Sequence, residues 1–151
     1  MELEDVFRAH QRAVYAYFLR MLGNPFDAEE LTQETFVRAC TAALRFRGGS
    51  SVKTWLFGIA RRVLLENIRR RRGVALDEAP EQPGPVEHPE DRIDLERAFA
   101  RLSSADREVL MLVDVLRFMP NEAAAILGLS AGNLRVRLHR ARARMREILG
   151  T

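Results

Sequence analysis

Leu129-Ser-Ala-Gly-Asn-Leu-Arg-Val-Arg-Leu-His-Arg-Ala-Arg-Ala-Arg-Met145 decides how the second half of this chain folds. Leu134, Leu138, Ala141, Met145 and Ile148 recur at spacings of three and four, so they share one side of a helix. Arg135, Arg137, Arg140, Arg142, Arg144 and Arg146 fall off that side. Ser130 stands where an N-cap belongs, and Gly150 where a helix stops. Upstream, Pro120-Asn-Glu-Ala-Ala-Ala-Ile-Leu-Gly128 reads as a short helix that opens at Pro and closes at Gly. Leu127-Gly128-Leu129-Ser130 is then a tight turn between two helices. This is the order of a helix-turn-helix, whose second helix enters the major groove with its first residues toward base edges. An ordinary helical hairpin with a solvated arginine face carries the same pattern.

Charge is segregated along the chain. The formal net charge is only +3, but residues 1–72 hold 13 Lys/Arg against 8 Asp/Glu. Residues 73–91 hold six acids (Asp77, Glu78, Glu81, Glu87, Glu90, Asp91) and no base, and the last helix is basic again. Alternating blocks of this kind suggest nucleic-acid-binding faces joined by an acidic tether. The single cysteine, Cys40, excludes an internal disulfide and a Cys-based zinc site. It follows Phe36 and Val37 and precedes Leu44, a phase that predicts a small buried hydrophobe. With no signal peptide and no long apolar run, a soluble cytoplasmic protein is expected.

The apolar periodicity predicts an all-α chain. Leu3 to Leu22 form one helix, ended by Gly23-Asn-Pro25. Asp27 can cap a second, from about Ala28 to Leu44. Ser51 can cap a third, from Val52 to about Arg72, burying Trp55, Leu56, Ile59, Ala60 and Val63. Pro80, Pro83, Pro85 and Pro89, set among acids, leave too little apolar surface to offset the entropy of ordering, so a flexible linker is expected. Helices resume from Ile93 to Leu102 and from Ala105 to about Leu116. The expected organisation is a first domain at 1–72, a linker at 73–92 and a second domain at 93–151.

Two surfaces of the first domain carry chemistry. Aromatic Trp55 sits beside Lys53 and the arginines of the third helix, among them Arg61, Arg62, Arg69 and Arg72. Such a set suits partly melted nucleic acid, where bases stack and phosphates pair with cations. A core tryptophan and a solvated basic helix end is the plainer reading. Glu30, Gln33 and Glu34 share a face of the second helix. They could dock a basic protein surface, or merely favour the helix dipole. No His, Cys or further acid joins them at metal-ligand spacing, so neither a metal, a cofactor nor an active site is expected.

Three ordered stretches resemble one family: Asp27-Ala-Glu-Glu-Leu-Thr-Gln-Glu-Thr-Phe36, Phe46-Arg-Gly-Gly-Ser-Ser-Val-Lys-Thr-Trp-Leu-Phe-Gly-Ile-Ala-Arg61, and Leu102 to Leu149. They are similar to the bacterial sigma-70 family, in its small extracytoplasmic-function (ECF) group of region 2, linker and region 4. The resemblance implies that Glu30, Gln33 and Glu34 bind the clamp coiled coil of the RNA polymerase β′ subunit. It implies that Arg47, Ser50, Lys53, Trp55, Arg61 and Arg62 melt and read the minus-ten element, the turn at Phe46–Ser51 pocketing a flipped base. It assigns minus-35 recognition to Ser130, Gly132, Asn133, Arg135, Val136, His139 and Arg140, and β-flap binding to region 4. An anti-sigma factor is an expected partner.

The chain departs from the family where a Gly-Leu-Ser-Tyr-Glu-Glu-Ile-Ala type stretch is usual. Here Arg117-Phe-Met-Pro-Asn-Glu-Ala-Ala124 stands instead, and Val113 occupies a frequent arginine position. An alternative function is a helix-turn-helix regulator that binds duplex DNA without joining the polymerase. In that case the Glu30, Gln33 and Glu34 face would have no role in polymerase binding.

Overall fold

The structure, a computed structural model, describes residues 2–74 and 93–150. The linker expected at 73–92 lies almost wholly outside the described residues. Within them every regular element is helical, as the periodicity predicts. Residues 2–19 and 24–74 make one compact unit; residues 93–150, grouped with 20–23, make another.

In the first unit, α1 spans Leu3–Leu22, α2 Pro25–Ala42 and α3 Val52–Val74. A single 3-10 turn, Ala43–Arg45, follows α2. Asn24, not Asp27, caps α2: its side chain accepts the N–H groups of Phe26 at 2.9 Å and Asp27 at 3.2 Å. Pro25 supports this earlier start, because its fixed φ suits the first helical position. Asp27 instead pairs with Arg71 near the far end of α3.

The phase of α2 also differs from expectation. Its buried side is Ala28, Leu31, Thr32, Thr35, Phe36 and Ala39, and Cys40 is exposed. Val37 and Leu44 are 61% and 96% exposed. The cause is the pair of threonines. The Thr32 and Thr35 hydroxyls donate to the carbonyls of Ala28 and Leu31 at 2.6 and 2.7 Å. Satisfied in this way, they can occupy core positions that an apolar count passes over. The core they join includes Val14, Tyr17 and Phe18 of α1 and Leu56, Phe57, Ala60, Val63 and Leu64 of α3. Tyr17 and Phe57 meet edge to face at 5.6 Å.

In the second unit, α4 spans Ile93–Arg101, α5 Ser104–Leu110, α6 Pro120–Leu127 and α7 Ala131–Leu149. The uninterrupted helix expected to Leu116 is broken. From Met111 to Val115 the backbone widens into a π turn, and the Leu116 N–H donates to the Met111 carbonyl at 2.8 Å. Buried Arg107 donates through Nε to the Phe99 carbonyl and through Nη2 to the Leu102 carbonyl, both at 3.0 Å. It thereby satisfies acceptors at the end of α4. Burial pushes its pKa down from the usual arginine value. Leu134, Leu138 and Ala141 are the buried seam of α7, as their spacing predicts, while Met145 and Ile148, expected to continue it, are half-buried.

Candidate nucleic-acid interface and docking ridge

On α2, Glu30 and Gln33 are exposed and Glu34 is half-buried. Glu34 is held in place: Arg38 Nε donates to its Oε1 at 3.0 Å. The two terminal nitrogens of Arg38 meet Glu66 of α3 at 2.7 and 2.9 Å. The hydrogen bonds to Glu66 and Glu34 hold the Arg38 proton more tightly than usual, and the same bond from Arg38 pulls the Glu66 pKa down. The ridge is thus an open acidic edge backed by one fixed carboxylate. Cys40 and Val37 continue its exposure toward the C-terminal end of α2.

The turn before α3 leaves Arg47, Gly48, Gly49 and Ser50 exposed. Gly48 has φ 76, which a side chain would strain. Ser51 caps α3 by accepting the Thr54 N–H at 3.0 Å, as expected. Trp55 is not fully buried, contrary to its expected place in the core. Its ring lies 5.0 Å from Phe46, tilted by 42°. Phe46, expected only as the first residue of the turn, thus also pairs with Trp55 across it. The signal was available: the two aromatics flank the Gly-Ser run. Lys53 and Arg61 are partly buried and Arg62 is exposed. The His10 pKa on α1 is lowered by burial first and by the Lys53 charge second.

Ser130 accepts the Asn133 N–H at 3.1 Å, so its oxygen is engaged as the N-cap of α7. Gly132, Asn133, Arg135, Val136, His139 and Arg140 all stand exposed on the next three turns. The six arginines of α7 divide. Arg142 grips Asp114 of the π turn at 2.6 and 3.1 Å, and Arg144 meets Asp106 of α5 at 2.6 Å. These two brace the helix from the side. Val136, 49% exposed, lies between Arg135 and Arg140 on the outward side.

The departing stretch before α6 is unusual in two places. Arg117 takes a left-handed φ of 64. Met119 occupies the N-cap of α6 without a side-chain cap bond, while the Glu122 carboxylate accepts the Met119 N–H at 2.9 Å. Only one half of a capping box is therefore made. No group of side chains that could hold a metal occurs among the described residues. None of the described helices is long and apolar enough to cross a membrane.

A helical unit with an acidic ridge and a cationic aromatic helix, followed by a helix-turn-helix unit, is the layout of a two-part transcription protein. Residues 6–74 match Sigma-70 region 2 and residues 92–145 match Sigma-70, region 4. The chain belongs to the sigma-70 family, in its ECF group. It is 35% identical to the ECF RNA polymerase sigma factor SigC of Mycobacterium tuberculosis, the match covering 93% of this chain and 79% of that one. It is 32% identical to ECF sigma factor SigE of Mycolicibacterium smegmatis over 97% of this chain, which spans 61% of that longer protein. The sigma factor RpoE from Bartonella quintana, solved in complex with the anti-sigma factor NepR, superposes with a TM-score of 0.86. That match has 29% identity and covers 98% of this chain and 96% of the other.

Proposed function

We propose that this chain is a promoter-specificity subunit that binds core RNA polymerase and directs transcription initiation. The observation that carries the reading is the pairing, in one chain, of the two family regions, with Glu30, Gln33 and Arg62 exposed on the first and Asn133, Arg135, His139 and Arg140 exposed on the second. Glu30, Gln33 and Glu34 dock the β′ clamp coiled coil, and the second unit docks the β flap. Arg47, Ser50, Lys53, Trp55, Arg61 and Arg62 engage the minus-ten element as it opens. A base flipped into the Phe46–Ser51 turn costs a few kcal/mol of stacking, which contacts from this set offset. Gly132, Asn133, Arg135, Val136, His139 and Arg140 read the minus-35 element as duplex, with Ser130 fixing the helix start.

The chain supplies binding energy and no reaction of its own; polymerisation belongs to the core enzyme. It needs no cofactor, and it works in the cytoplasm, where core enzyme and promoter DNA meet. Residues 1–72 and 93–151 act as separate domains on the two elements, joined through 73–92. An anti-sigma factor that covers both units in the resting cell fits the same faces. A regulator binding duplex DNA alone would leave the α2 ridge without a use.

Run-off transcription with core polymerase and a genomic promoter library tests the reading. Promoter-directed transcripts are expected only with the chain present, and their absence would sink it. Changing Glu30, Gln33 and Glu34 together to Ala should weaken core binding while leaving the helical content unchanged. Unaltered core binding would remove the ridge from the proposal.

A further inference from the structure

The outward side of α2 is one continuous stripe. Phe26, Glu30, Gln33, Val37 and Cys40 follow it at alternating spacings of four and three, and Leu44, in the 3-10 turn that follows, prolongs it. All six are exposed, Phe26 at 85% and Leu44 at 96%. This is the spacing by which one helix lies along another. A single apolar side chain at a surface is ordinary, but three large ones and a thiol on one line call for a partner.

The stripe is complementary to its own reverse. In two antiparallel copies, Phe26 of one meets Leu44 of the other, Glu30 meets Cys40, and Gln33 meets Val37, each pair recurring across a two-fold axis. The charges obey the same reversal. Glu29 and Glu30 are exposed at one end of the stripe, Arg45 and Arg47 at the other. A parallel pair would set like charges together and align the helix dipoles. An antiparallel pair sets acids toward arginines and opposes the dipoles. The polar positions within the seam, Glu30 and Gln33, lower its affinity and fix its register.

We propose that two copies of this chain pair antiparallel along this face of α2 in a reversible dimer. One helix from each copy makes a small, partly polar contact, so the pairing is weak and depends on concentration. Glu30 and Gln33 lie inside the seam. Where they also form the polymerase-docking ridge, a consequence that rests on that reading, the dimer is a reserve form that cannot dock. Core enzyme and a second copy then compete for one helix.

Sedimentation equilibrium of the full chain, from about 1 μM to about 1 mM, tests the pairing. The average mass should climb from monomer toward dimer. Val37→Glu and Leu44→Glu, both at exposed positions, should keep the helical content and weaken association by roughly tenfold or more. Charge reversal gives a second readout. A chain with Glu29→Arg and Glu30→Arg and a chain with Arg45→Glu and Arg47→Glu should each stay monomeric alone, and combine into a mixed dimer when mixed. A monomer across the whole range would overturn the inference. So would a dimer indifferent to these changes, and so would a monomer whose core-polymerase affinity falls with Val37→Glu, which would assign the stripe to polymerase alone. A dimer whose chain binds core equally well after Glu30, Gln33 and Glu34 become Ala would remove the ridge reading and leave the pairing standing.

Discussion

Arg38 and Glu66 join α2 to α3 through two parallel hydrogen bonds of 2.7 and 2.9 Å. The same guanidinium reaches back to Glu34, so one arginine couples the packing of the helix pair to the shape of the acidic ridge. Removing it should do two things. Arg38→Ala lowers the thermal midpoint by a modest, salt-sensitive amount, because the groups are half-exposed and screened. It also lets Glu34 move, so core-polymerase affinity falls. In a double-mutant cycle, Arg38→Ala with Glu66→Gln should lose less stability than the sum of the single changes. Additive losses would show that the bidentate contact contributes nothing.

Arg117 is strained where the π turn gives way to α6. A non-glycine residue at φ 64 pays for the approach of its Cβ to the following carbonyl. The resembled family has glycine at this position. Arg117→Gly should raise stability by about 1 kcal/mol in a denaturant melt, after the extra unfolded-state entropy of glycine is subtracted. A loss of stability would mean that the Arg117 side chain makes compensating contacts.

His10 makes stability depend on pH in a defined direction. Its folded pKa lies below the ordinary 6.5, so the unfolded chain binds the proton more readily. The stability it confers is therefore complete above about pH 6.5 and is lost as pH falls through the folded value. Urea midpoints should decline from pH 7.5 toward pH 5, with a shallower decline for His10→Asn. Because the Lys53 charge contributes, Lys53→Met should raise the His10 pKa as read by NMR titration. No upward shift would mean that burial alone sets it.

The arginines of α7 should separate in a salt titration of minus-35 duplex binding by holoenzyme. Arg135→Ala or Arg140→Ala should each reduce the slope of log K against log salt by about 1. Arg142→Ala should leave the slope near that of the wild type and cost about 0.5 kcal/mol of stability, since its pair with Asp114 is half-exposed. Equal slopes for all three would mean that Arg142 leaves Asp114 to meet phosphate.

The limits of the sequence follow from distance and from satisfied polar groups. The bounds of α7 were readable, because its Ser130 cap and its Gly150 stop lie within one local pattern, and of its expected seam Leu134, Leu138 and Ala141 are buried while Met145 and Ile148 are half-buried. The α2 ridge and the aromatic turn were also readable as residue groups. The partners of Arg142 and Arg144 were not, since Asp114 and Asp106 lie 28 and 38 residues away. The burial of Cys40 was misjudged because Thr32 and Thr35 satisfy themselves and take the core side of α2. Nothing local announced the π turn at Met111–Val115.

The exposed thiol of Cys40 has a practical consequence. It is the only cysteine, and it stands on the same outward helix as the acidic ridge. A maleimide footprint on the unmutated protein therefore reads the occlusion of that helix at one atom. The modification rate should drop on adding core polymerase and stay constant on adding minus-35 duplex alone, which turns assembly into a clock that needs no engineered label.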